Sequence, residues 1–171
     1  MPEERVEAVS DKKIATAIQL LVILALAALM PLFPLQQITG PLVNALLYIA
    51  TVMLGVHNAL LICFLPSIIS ISTGLLPPIM LPLIPVIIVG NILLVLMFSR
   101  FREKNFWLGV GTASVLKFVF IYSLASILAQ QMIHQDKFAK LVSTMMSFPQ
   151  LINALAGGII AWVFLKSIKR I

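Results

Sequence analysis

Hydrophobic positions dominate the stretch from Ile14 to Ser99, 86 residues with no Asp, Glu, Lys or Arg. A water-soluble fold cannot bury so long an uncharged run, because a folded domain needs polar surface. As continuous helix it would extend about 130 Å, against a hydrocarbon thickness of roughly 30 Å, so it must cross a bilayer several times. Breaks in the apolar pattern divide the chain. The first predicted span, 14–33, opens after Asp11-Lys12-Lys13 and closes at Pro31 and Pro34. Gln36 to Pro41 is a predicted polar turn, followed by a second span over 42–54. Gly55 to Asn58 makes a tight turn, and a third span, 59–73, bends at Pro66. Gly74 and Pro77-Pro78 break the chain before a fourth span, 79–98, which carries Pro82 and Pro85 in its opening half. A charged loop precedes the fifth span, 106–130, interrupted only by Lys117; a polar connector then leads to the sixth, 148–165. The prediction is an all-α bundle of six transmembrane helices forming a single membrane domain, with 1–13 as a cytoplasmic N-terminal segment.

Composition does not change this picture. Of 171 residues, 61% are hydrophobic and 11% charged, leaving no room in the expected architecture for a soluble catalytic or nucleotide-binding domain. Ala25-Leu26-Ala27 has the form of a signal-peptide cleavage site. The apolar stretch around it is too long and more spans follow, so a retained helix is expected.

Charge adds orientation. The net charge of +6 comes from basic residues at span ends, which set topology rather than bind nucleic acid. Arg5, Lys12 and Lys13, then Arg100, Arg102 and Lys104, then Lys166, Lys169 and Arg170 place nine basic residues on one side of a six-span topology. Only Lys137 and Lys140 fall in loops on the other side. The positive-inside rule therefore predicts a multi-pass cell-membrane protein with both termini cytoplasmic.

Lys117 is the leading candidate for function. It lies ten residues past Trp107, about 15 Å along a helix and close to mid-membrane. A central lysine costs on the order of 2.5–3.5 kcal/mol even on the lenient insertion scale, so it is expected to face an interior cavity. No predicted span holds a carboxylate to pair with it, so its charge is expected to meet an anionic ligand or to be solvated by side-chain amides and carbonyls; a lysine that snorkels, or that stays neutral in a packed interior, is the alternative. Ala113 and Ser114 leave space on that helix face. On the sixth span Gln150, Asn153 and Gly157 fall at i, i+3 and i+7, on one face. The small residues there suit close helix packing. Gln150 and Asn153 lie at the same depth as Asn44, Tyr48, Ser70, Thr73 and Tyr122, which suggests a water-accessible pocket open to the outside. Asn91 is placed deeper, as a structural hydrogen-bonding residue, and Cys63 as a small packing residue.

The connector contains Phe138, Leu141, Val142 and Met145 at the spacing of an amphipathic helix. Lying on the bilayer surface is its default; folding over a pocket is the alternative. His57 and His134 fall on opposite faces of the predicted topology, so no metal site is expected. The sequence contains no G-x-x-x-x-G-K-[ST], H-E-x-x-H or G-x-S-x-G motif and no intramembrane acids. It is therefore expected to be neither an enzyme nor an ATPase, and to carry no cofactor. The lack of acids also argues against a proton- or sodium-coupled transporter.

Size, six spans with both ends inside, short Pro- and Gly-rich middle spans, and the stretch from Gly74-Leu-Leu-Pro77-Pro78 to Asn91 resemble the substrate-binding S components of energy-coupling factor transporters. The resemblance covers nearly the whole chain and is one of architecture. It implies a membrane-embedded subunit that binds a small-molecule micronutrient in the outer half of the membrane and works with a transmembrane coupling protein and an ATPase pair. It also implies a pocket near Gln36, Gln37, Lys117, Tyr122, Gln150 and Asn153, capped by the first and fifth loops. The family's Ala-x-x-x-Ala docking pattern is not matched: Ala15, Ala17, Ala25, Ala27 and Ala28 include no pair four apart. A self-sufficient permease or channel, a non-transporting scaffold subunit, and an enzyme of lipid or isoprenoid metabolism are the alternatives.

Overall fold

A computed structural model describes residues 2–32, 35–131 and 136–171, with backbone alone for 2–13 and Gln36. The described residues are helical with no strand. The helices are α1 (Pro2–Leu29), α2 (Gln36–Met53), α3 (Val56–Ile62), α4 (Leu65–Ser72), α5 (Ile84–Arg102), α6 (Phe106–Gln131), α7 (Asp136–Met145) and α8 (Phe148–Ser167). Short 3₁₀ segments, Met30–Leu32 and Pro78–Leu83, extend α1 and precede α5. Four helical stretches are long and apolar enough to cross a membrane: Ile14–Leu32, Pro78–Arg102, Phe106–Gln131 and Asp136–Ser167. Gln37–Met53 and Val56–Ser72, the latter made of α3 and α4, are shorter apolar helical stretches. The chain is a membrane protein by this measure.

The middle of the chain departs from the sequence expectation in instructive ways. Gln36 to Pro41 is not a turn but the start of α2, which accommodates Pro41 inside the helix. A proline is tolerated there because surrounding helices can satisfy the freed backbone group. The expected third span is two short helices rather than one bent one. Pro66 has no N–H and its ring crowds the carbonyl four residues back, which is Ile62, the last residue of α3. Gly55 and Gly74, which flank this pair, both adopt positive φ (81° and 75°), as glycine readily does.

Packing is closest between α5 and α6 and between α2 and α8, with α6 also against α8. Glycine makes these approaches possible. A Cβ on Gly157 of α8 would lie 2.7 Å from Asn44 Cβ and 2.8 Å from the Pro41 carbonyl oxygen on α2. One on Gly158 would collide with the Val110 side chain on α6, and one on Gly90 of α5 would come 2.7 Å from Ile121 on α6. The expected small-residue packing on α8 is therefore present. One core cluster centres on Leu47, Tyr48, Leu94, Phe98 and Val110. Edge-on ring contacts run from Tyr48 to Phe98 (4.7 Å) and from Phe98 to Phe106 (5.3 Å).

A second cluster lies at the opposite end and contains α7. Phe138, Val142 and Met146 are buried there with Leu76, Met80, Leu83, Ile121 and Ala125. The amphipathic connector thus packs its apolar face onto the bundle end, against its default placement on the bilayer surface. Large apolar side chains such as Leu21, Val115, Val119, Ile152, Ile159 and Val163 point outward, as lipid contact requires.

Candidate functional site

The site is built around one face of α6. Ala113, Ser114, Lys117 and Ile121 recur at helical spacing and are all buried. Lys117 is only 3% exposed. Its Nζ donates to Asn44 Oδ1 on α2 at 2.6 Å and to Asn91 Oδ1 on α5 at 2.7 Å. Each amide is held in turn. Asn44 Nδ2 donates to the Gly40 carbonyl at 2.9 Å, and Asn91 Nδ2 to the Cys63 carbonyl at 3.4 Å. These bonds turn both amide oxygens toward the ammonium, so neutral dipoles replace the water the charge has lost. Three helices are tied together at one buried nitrogen. One turn away, the Ser114 hydroxyl is bonded to the Tyr48 hydroxyl at 3.0 Å.

Two of the three Nζ hydrogens are taken by amides, and the third is left for a cavity of about 80 Å³ that Lys117 lines. The N-terminal halves of α2, α5 and α8 meet α4 around this space. α4 contributes Ser67 and Ser70, and α8 contributes Gln150 and Asn153. Met146, the residue after α7, forms part of the wall and is buried. Gln150 Nε2 donates to the Met145 carbonyl at 3.0 Å, fastening the connector to α8 beside the cavity. Lys117 is the one charged residue in the lining, which includes no carboxylate among the described residues.

Lys117, Gln150 and Asn153, singled out in the sequence, come together at this cavity. Tyr122 does not join them: it is 47% exposed and stacks on Phe118 with ring centroids 5.8 Å apart. Five positions separate it from Lys117, which on a helix is a rotation of about 140° toward the outer face. Gln37 is exposed and does not line the cavity. The side chain of Gln36 and all of His134 lie outside the described residues. His57 joins no cluster of metal-ligating groups among the described residues.

Several lining residues carry less signal in the sequence. Ser67 and Thr39 are single hydroxyls of a kind common in transmembrane helices, where such groups normally bond to their own backbone. Ser70 does so, donating to the Pro66 carbonyl. Asn91 has the structural hydrogen bonds expected of it and also reaches the cavity. Its spacing of 26 residues from Lys117 gives no local clue to that contact.

Comparison with protein families, curated proteins and solved structures gives no match. The arrangement must be interpreted from its own chemistry. It offers one positive charge, several amide and hydroxyl groups, and apolar walls, in a space large enough for a small solute or a few waters.

Proposed function

We propose that this protein is the membrane-embedded binding subunit of an ATP-driven uptake system, taking a small anionic solute from outside the cell. In this reading the chain crosses six times with both termini cytoplasmic, and the cavity lies in the outer half of the bilayer. A separate transmembrane coupling protein and a pair of ATPases drive release inward. The observation that carries the reading is a buried lysine that lines a cavity with several polar groups set in an apolar wall and that has amides as its protein partners among the described residues. An ammonium in this position is expensive to maintain, and structural hydrogen bonding does not require its charge. Basic residues bracketing the long uncharged run support the orientation. The architectural resemblance to energy-coupling factor S components supports the division of labour with partner subunits. That resemblance is the sole support for the ATPase pair.

Native mass spectrometry of the purified full chain tests the reading. The wild-type protein is expected to carry a small co-purified molecule, and Lys117→Met to lose it. A wild-type chain that never carries solute, alone or in membranes supplied with growth medium, would contradict the proposal.

A further inference from the structure

The cavity's free hydrogen-bonding groups, single charge and size together narrow the solute it can hold. Ser67 is 3% exposed and Asn153 7%, and neither side chain has a hydrogen-bond partner among the described residues. Both line the cavity with Lys117. Among the described residues Arg102 Nε is the one fully buried side-chain polar atom without a partner, so the polar atoms of Ser67 and Asn153 are not sealed in protein; beside the third Lys117 N–H they are left free to bond a solute. An O–H, an amide N–H and an ammonium N–H from residues that line one small space suit the two oxygens of a carboxylate, which can accept about four hydrogen bonds.

Charge sets a limit. Among the described residues Lys117 is the only ionic group in the lining, so a monoanion leaves the site neutral, whereas a dianion such as a phosphate ester leaves a buried excess charge. Size sets another. At roughly 10–15 Å³ for each enclosed water, the cavity of about 80 Å³ has room for roughly five to eight non-hydrogen atoms. Sites for larger organic ligands run to about 300–1,000 Å³. The remaining wall is apolar: Val43, Leu76, Ile87 and Met146.

We infer that the cavity is a site for a short aliphatic monocarboxylate of about six non-hydrogen atoms or fewer. Its carboxylate faces Lys117, Ser67 and Asn153, and its alkyl tail lies against the apolar wall. This inference rests on the reading of the cavity as a solute site and specifies the class of solute.

Calorimetric titration of the detergent-solubilised full chain with acetate, butyrate, octanoate, butyramide and inorganic phosphate tests it. Butyrate is expected to bind roughly tenfold more tightly than acetate, from two further buried methylenes. Butyramide, which keeps the shape but not the charge, should bind at least about tenfold more weakly than butyrate, as should phosphate and octanoate. Lys117→Met should abolish butyrate binding. Ser67→Ala, which removes one hydroxyl with no hydrogen-bond partner among the described residues, should weaken it about three- to tenfold. Equal affinity for butyramide, a preference for octanoate or phosphate, or full affinity in Ser67→Ala would overturn the assignment. If a solute of another class co-purifies while none of these carboxylates binds, the monocarboxylate is wrong and the uptake reading stands. If no solute is held under any condition, the uptake reading fails as well.

Discussion

Asn91→Asp is expected to reduce anion binding by at least about tenfold while thermal stability in detergent holds or rises. The change is nearly isosteric and places a carboxylate oxygen where Asn91 Oδ1 now accepts from Lys117 Nζ at 2.7 Å. The ammonium would then have a permanent counterion, and a solute anion entering the cavity would meet a neutral pair. Asn91 is the better of the two amides for this experiment because its own donation, to the Cys63 carbonyl, is long at 3.4 Å. Asn44 donates at 2.9 Å, and losing that bond would cost more. Burying an ion pair from water is usually unfavourable, but here one charge is already buried, so a partner offsets a cost the fold has already met. The control is Asn91→Asp combined with Lys117→Met. It leaves an unpaired carboxylate and should lose about 3–5 kcal/mol of stability. Retained anion affinity in the single variant would mean that the charge on Lys117 does not hold the solute.

Gly157→Ala should destabilise the protein by about 1–3 kcal/mol, the usual range for overpacking a well-filled interior. Alanine is the better helix former by about 1 kcal/mol, so packing must overcome that gain before any loss is seen. The added methyl would meet Asn44 Cβ at 2.7 Å, the Pro41 carbonyl oxygen at 2.8 Å and Ala45 N at 2.9 Å. Two of those atoms are backbone and cannot swing aside. α8 must shift from α2, carrying Asn44 away from Lys117, so solute affinity should fall with stability. Gly111→Ala is the matched comparison. Nothing lies within 4 Å of its added methyl, so stability should be unchanged or slightly higher, with affinity intact. Thermal unfolding of both variants, with solute titration, decides the matter; equal stability would place α2 and α8 farther apart than described.

The sequence revealed the all-helical, membrane-type character of this fold because lipid demands long apolar helices and leaves charge mostly at their ends. It was less informative where backbone chemistry decides. Pro41 and Pro66 look alike in the sequence, yet α2 absorbs the first, while the second divides a stretch expected to be continuous. The connector was ambiguous because an apolar helix face fits lipid and protein equally well. Phe138 and Val142 are buried against the bundle end. At the site, Lys117, Gln150 and Asn153 stood out because polar groups at mid-depth are costly and need a reason. Tyr122 was grouped with them by expected depth, yet it lies on a different face of α6 from Lys117, so expected depth alone pointed to the wrong side. Ser67 showed no such signal, since its place on the cavity wall is a property of the folded chain.

The central claim is that a cavity beside Lys117 can be reached from outside the cell, and cysteine accessibility at position 67 tests it most directly. In a Cys63→Ala background, Ser67→Cys is close to isosteric and places a single thiol on the cavity wall. A small, membrane-impermeant anionic thiol reagent applied to intact cells should modify this cysteine, and butyrate should slow the reaction. No modification, or modification only from the cytoplasmic side in inverted membranes, would contradict the account.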